Sequence, residues 1–284
     1  MLVFTVFTIQ NGVNMKLYRI SKGLAILLTS LASLTAFCNS YAIETFPTQE
    51  LRLEIDLSQY EECVYSQHGE DGVIKKIFEL IGTESKYYVE FGAADGQWIS
   101  NTKRLREQEG WQGLLLDSGH DNPSINLHRA FITAENINDL FALYNVPHNL
   151  DLLSIDIDFN DFYVWNAINE NYRPKLIVIE YSGKHLPHED KIVIYDPNGS
   201  FDGTDYFGAS ILAFYNLGRK KGYSLVYAEK NGVNLFFLRD DLIEQHKLEF
   251  KNRNDVGKLY RPNNAHRHDI KNRPFVSSNE ILNP

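Results

Sequence analysis

Cysteine is scarce in this chain: its 284 residues include 2. One of them, Cys38, lies in an N-terminal segment that reads as removable, so Cys63 would stand alone and an intramolecular disulfide is excluded. Positive charge is in deficit as well. Lys and Arg number 28 against 37 Asp and Glu, for a formal net charge of −9 and a pI near 5.5. A protein built to grip a phosphate backbone carries the opposite balance, so nucleic acid is not an expected partner. No internal repeat or low-complexity tract occurs. An uninterrupted membrane-spanning run is missing too, because the apolar stretch from Gly23 to Phe37 falls short of the ~20 residues a spanning helix needs.

That stretch follows Lys16, Arg19 and Lys22 and precedes the small residues Ser40 and Ala42. This is the order of a secretory signal, with cleavage expected after Ala42. Residues 1–14 are uncharged and would weaken the signal, so Met15 is the better start. Bulky Phe37 argues against lipid attachment at Cys38. The expectation is a signal peptide over 1–42 and a secreted or periplasmic protein with no stable membrane span after cleavage.

What remains is rich enough in apolar residues, 43% hydrophobic and 13% aromatic overall, to bury a full core. Apolar runs of strand length recur at 87–92, 113–117, 130–136, 151–157, 175–181, 223–229 and 233–239. Their continuous apolarity suits strands covered on both faces. Segments with helical spacing or a Gly stop separate them, and Val73, Ile74, Ile77, Phe78 and Ile81 mark a helix before the first strand. Only Lys230, Asn231 and Gly232 separate the last two runs, a length for an antiparallel hairpin and not a crossover. The fold class is therefore α/β: a Rossmann-like, seven-stranded, mostly parallel sheet with a C-terminal antiparallel hairpin and helices on both faces, over residues 43–240. Residues 241–284 read as a polar, solvated tail. His266, His268 and Asp269 within it lack a fourth ligand and are not read as a metal site.

In such a sheet ligands settle beyond the carboxyl ends of the strands. The first strand runs out into "EFGAADG", where Gly92 permits close backbone approach, Gly96 suits a tight turn, and Glu90 and Asp95 are acceptors for a positively charged group. Asp117 ends the second strand, placed to accept ribose hydroxyls. The loop lacks the G-x-G-x-x-G spacing of a pyrophosphate site, and its acids would repel phosphate, which favours a sulfonium donor over a nicotinamide cofactor. "SIDIDFND" gathers Asp156, Asp158 and Asp161. Two of the three could stand within reach of one proton or one metal ion; Asp156 and Asp158 are the candidates to remove an acceptor's proton, and Asp161 reads mainly as a helix cap. His185 and His188, after the fifth strand, are alternative bases. The loop that follows carries Tyr195, Phe201, Tyr206 and Phe207 for stacking on a sugar ring or for completing the core, with Asp202 and Asp205 as possible acceptors for its hydroxyls. Tyr65, Gln67 and His68 could cover the cofactor or simply precede a helix.

These ordered stretches, "YSQHGEDGVIKKIFELI", "YYVEFGAADGQWISNTKRL", "GWQGLLLDS", "TAEN", "DLLSIDIDFNDFYVWNAI", "RPKLIVIEY" and "FGASILAFYNLGRKKGYSLVY", resemble the FkbM-like methyltransferases over roughly residues 60 to 240. The resemblance implies the class I methyltransferase fold and transfer of a methyl group from S-adenosylmethionine to an oxygen of a small-molecule or glycan acceptor. It implies that Glu90, Gly92 and Gly96 form the first cofactor motif, that Asp117 is the ribose acid, that Glu135 and Asn136 contact adenine, and that Asp156 and Asp158 stand at the methyl-transfer centre. Phe159 departs from the pattern, since relatives often have Gly there. Export argues for an alternative, because the donor is made and kept in the cytosol: the fold retained as a catalytically inactive binding or interaction module.

Overall fold

The computed structural model describes residues 54–263 and 268–283; the signal-peptide reading lies outside them. Continuous apolar runs become strands and periodic segments become helices, in the expected alternation. The first helix, α1 (Glu70–Ile81), buries Val73, Ile74, Ile77, Phe78 and Ile81, and its first turn carries Glu70 and Asp71, the charge a helix N-terminus favours. It precedes β1 (Tyr87–Phe91), α2 (Lys103–Gln108), β2 (Gln112–Asp117), β3 (Leu127–Arg129), α3 (Ile137–Leu143), β4 (Leu152–Ile155), α4 (Asp161–Ala167) and β5 (Leu176–Glu180). Then come β6 (Ile192–Val193), α5 (Ile211–Lys221), β7 (Tyr223–Ala228), β8 (Asn234–Arg239), α6 (Asp240–Gln245), α7 (Val256–Leu259), β9 (Phe275–Val276) and α8 (Ser278–Leu282).

The main sheet has seven strands in the order β3-β2-β1-β4-β5-β8-β7. Strands β1 to β5 run parallel, and β8 is antiparallel to both β5 and β7. This is the Rossmann-like sheet with a terminal hairpin that the short 230–232 connection implies. Each face of the sheet buries its own core. One packs Val89, Leu114, Leu153, Ile177 and Phe237 under α3, α4 and α5, with Trp165 and Phe214 at its centre. The other packs Tyr88, Leu115, Leu152, Val178 and Phe236 under α1, α2 and α6. Among the described residues no helix is long and apolar enough to cross a membrane.

Two expectations are corrected. The third strand is Leu127–Arg129, not 130–136; the apolar residues that suggested a strand, such as Ile132 and Ile137, pack a loop and the start of α3 onto the core. The stretch after Asp240 is not a solvated tail. Leu242, Ile243, Leu248 and Phe250 are buried in the α1-side core, and backbone bonds from Ile55 N to Glu249 O (2.7 Å) and Lys251 N to Ile55 O (2.9 Å) tie it to the start of the domain. Further on, β9 pairs with β6 in a small second sheet, and α8, held by a Ser277–Glu280 capping box, packs on α5. Apolar residues placed singly among Asn, Lys and Arg leave no run for a pattern to catch.

Candidate functional site

The register places a row of polar residues at the carboxyl edge. Phe91 lies opposite both Leu116 and Ile155, and Ile155 opposite Ile179. One residue further on, Asp117, Gly92, Asp156 and Glu180 fall in line, and Glu180 pairs with Asn234 on β8. Residues in one row of a pleated sheet project to the same side. The row is centred on β1, whose neighbours β2 and β4 lead away in opposite directions, the switch point where open α/β sheets bind ligands.

Gly92 is the gap in that row. It is exposed, has φ of +65°, and a Cβ there would lie 1.6 Å from the Asp156 carbonyl oxygen. The loop from Gly92 to α2 is organised by Glu90, which is buried and accepts from Ser100 Oγ (2.7 Å), Asn101 N (2.8 Å) and Thr102 Oγ1. Burial raises its carboxyl above the usual range, and these donors oppose the rise. Glu90 therefore shapes the loop instead of offering free oxygens. Asp95 does similar local work, accepting from Gln97 N and Trp98 N at 2.8 and 3.1 Å. Gly96 is buried, and its carbonyl accepts from Arg106 Nη2 at 2.7 Å. Asp117 joins two loops: Oδ2 accepts from Ala94 N (2.9 Å), and Oδ1 from Gly119 N (2.8 Å) and His120 N (3.0 Å), with His120 Nδ1 also 2.8 Å away.

On the other side of Gly92 stands the acidic centre. Ligand oxygens of Asp156, Asp158 and Glu180 lie within 4.8 Å of one another. Burial and the neighbouring charges of Asp158 and Asp161 raise Asp156 well above the usual range; burial and Asp156 do the same to Glu180, and the pair shares a hydrogen bond. Partial desolvation also raises Asp158, which keeps an exposed side. Asp161 is fully buried, and this pushes it to about 7. It accepts the Ile157 amide at 2.8 Å through Oδ1, reaching back against the chain. Phe159 is buried with Val193 and Tyr206 in a satellite cluster beneath the loop after β5.

The remaining candidates lie around this edge. Glu135 is exposed and bonded to the Tyr195 hydroxyl, which lowers its carboxyl and also accepts from Ala134 N at 3.2 Å. Asn136 precedes α3, with Oδ1 accepting Thr133 N (2.9 Å) and Nδ2 donating to Phe131 O (2.8 Å). Asp202 pairs with Arg273 at 2.9 Å and Asp205 with Lys184 at 3.7 Å. Asp71 Oδ2 gathers the amides of Val64, Tyr65 and Ser66 within 2.9 Å, fixing the segment that precedes α1. Between that segment and Gln97–Ile99 opens a cavity of about 470 Å³, on whose rim Trp98 is 76% exposed.

His185 is buried with its ring edge against Phe275 at 4.7 Å, and Nε2 has no partner. The charges that act on it are Lys191, Glu189 and Asp205, not the Asp156 group, while His188 is exposed. Burial first, and then Lys191, lower the imidazole from 6.5 to about 4. The unfolded chain therefore binds this proton near pH 6.5 and the native chain only near 4, so stability falls as pH drops through that window, by about 3 kcal/mol in total. In urea unfolding His185→Gln is expected to lose that part of the acid slope. Equal slopes in the two proteins between pH 6.5 and 4 would assign it elsewhere.

No protein-family model matches the chain, and no curated protein matches it. Two solved structures are similar to it. An O-methyltransferase family protein from Burkholderia thailandensis shares 10% identity at a TM-score of 0.33, over 60% of this chain and 57% of that one. The CMeT domain of the citrinin polyketide synthase shares 12% identity at a TM-score of 0.37, over 60% of this chain and 51% of that one. The chain thus spans between half and two thirds of their length, and its fold is read from its own strand order.

Three residues of the site escaped the sequence reading. Glu180 had a visible signal, an acid closing an apolar strand as Asp117 does. Asn234 and Glu70 had none: their pairing, Asn234 Nδ2 to Glu70 Oε1 at 2.8 Å, joins residues far apart in sequence.

Proposed function

We propose that the protein is an S-adenosylmethionine-dependent methyltransferase of FkbM-like kind, acting on a hydroxyl of a sugar or a similar small-molecule or glycan acceptor, and that it is exported by its N-terminal signal. The observation that carries this reading is the row Asp117–Gly92–Asp156–Glu180 at the switch point of a sheet ordered β3-β2-β1-β4-β5-β8-β7. The exposed backbone at Gly92 leaves a donor room to approach, and the acids around it suit a sulfonium and oppose a pyrophosphate. Asp117 would take the ribose hydroxyls, exchanging bonds it now makes to loop amides, and Glu135 and Asn136 would border the adenine. When bound, the donor supplies an electrophilic methyl group. The chain's own part is to align the acceptor and take its proton, for which Asp156 and Asp158, both raised by desolvation, are the candidates.

Calorimetry on the full chain tests the reading, with S-adenosylmethionine, S-adenosylhomocysteine and NADH as titrants. Micromolar binding of the first two alone is expected, together with its loss on Asp117→Ala and on Glu90→Ala in protein that still unfolds cooperatively. One observation favours a second reading, an exported module that keeps the fold without the chemistry: both oxygens of Asp117 are already engaged. Absence of donor binding by folded protein supports the module, and NADH binding supports an oxidoreductase.

A further inference from the structure

The acidic centre holds buried acceptors that no described residue satisfies. None of Asp156, Asp158, Asp161 and Glu180 forms an ion pair with a described Lys or Arg, and the charges acting on Asp156 and Glu180 are those of other carboxylates. Two buried oxygens beside them have no partner. Asp161, 0% exposed, spends Oδ1 on the Ile157 amide and leaves Oδ2 unpaired within the field of the other three acids. Asn234, 3% exposed and directly opposite Glu180, commits its amide nitrogen to Glu70 and leaves Oδ1 unpaired. Buried acceptors of this kind are normally satisfied. Asp161 Oδ2 and Asn234 Oδ1 are thus left without a donor among the described residues.

We propose that Asp156, Asp158 and Glu180 bind a hard divalent cation, Mg²⁺, Mn²⁺ or Ca²⁺. The donor set is all oxygen, with no His or Cys in the cluster, which selects hard ions over zinc or copper. The three oxygens lie within 4.8 Å of one another, near enough to share one ion bonded at about 2.4 Å. Asp158 is exposed, so one side of the ion stays open to water or to the hydroxyl oxygens of an acceptor. That last role rests on the methyl-transfer reading; the cation site does not.

Mn²⁺ titration of the full chain, followed by electron paramagnetic resonance with no donor or acceptor present, tests the site without regard to S-adenosylmethionine. One Mn²⁺ per chain, competed by Mg²⁺ or Ca²⁺ and accompanied by a rise in melting temperature, is expected. Asp158→Asn, whose side chain tolerates the φ of +65° found there, and Glu180→Gln should each weaken binding by more than about tenfold. Both should also raise the melting temperature of the metal-free protein, since each removes a repelling charge. Failure of folded protein to bind Mn²⁺ at millimolar concentration overturns the proposal, as does undiminished binding in the double variant. Donor binding without Mn²⁺ binding would leave the methyltransferase standing and remove the cation.

Discussion

Gly92→Ala is expected to be the most damaging single substitution in the domain. The added Cβ would lie 1.6 Å from the Asp156 carbonyl oxygen and 2.7 Å from its carbon. No side-chain rotation relieves that overlap, because the obstacle is the backbone of the loop joining β4 to α4. The φ of +65° adds the left-handed penalty that any residue with a Cβ incurs, about 1–2 kcal/mol. A total above about 4 kcal/mol follows, because overlap with backbone and a left-handed φ act together. Gly110→Ala separates the two effects, since Gly110 has φ of +68° with nothing within 4 Å of its Cβ position. Urea unfolding should give Gly110→Ala only the conformational penalty and Gly92→Ala several kcal/mol more. Similar losses at both positions would show that the loop after β4 yields. Because that loop carries Asp156 and Asp158, any Gly92→Ala protein that folds should also bind Mn²⁺ and S-adenosylmethionine more weakly.

Much of the fold was legible because a buried parallel strand needs an apolar run and a surface helix needs a stripe, and both are local patterns. The helix at Glu70–Ile81 and the hairpin through 230–232 came from such patterns. The edge strand β3 did not, since an edge strand of three residues needs little apolar surface; the run at 130–136 reported the packing of a loop instead. The chain after Asp240 reads as a tail for a related reason: Leu248 and Phe250 fill the core from inside a polar segment.

The candidate site divides along the same line. Parallel strands bring their carboxyl ends to one edge, so Asp117, Gly92 and Asp156 could be placed together from their positions in successive runs. What each side chain touches was not local. Glu90 reads as an acid free to meet a ligand, yet its donors arrive from Ser100, Asn101 and Thr102 on the far side of the glycine loop. Asp161 reads as a cap for its own helix, yet bonds backwards to Ile157. His185 reads as a base in a loop, yet the pairing of β9 with β6 puts Phe275 against its ring.

The opposite edge of the sheet shows what an acid does when it is wholly structural. Asp151, just before β4, is fully buried and accepts the amides of Glu84 (3.0 Å), Ser85 (2.9 Å) and Lys86 (2.7 Å). Lys175 Nζ, itself nearly buried, lies 3.2 Å from Oδ1. One carboxylate thus locks the turn that enters β1 to the starts of β4 and β5. Asp151→Ala strands three amides and a buried ammonium together, and the expected loss is about 3–5 kcal/mol. Adding Lys175→Met removes the unpaired charge, so the double variant should recover about 1–3 kcal/mol of it. Urea unfolding of the two single variants and the double checks this. A double variant no more stable than Asp151→Ala would place the whole loss in the amides. The folded fraction of each should bind Mn²⁺ as the parent does, because the turn lies at the far end of the strands from Asp156 and Glu180.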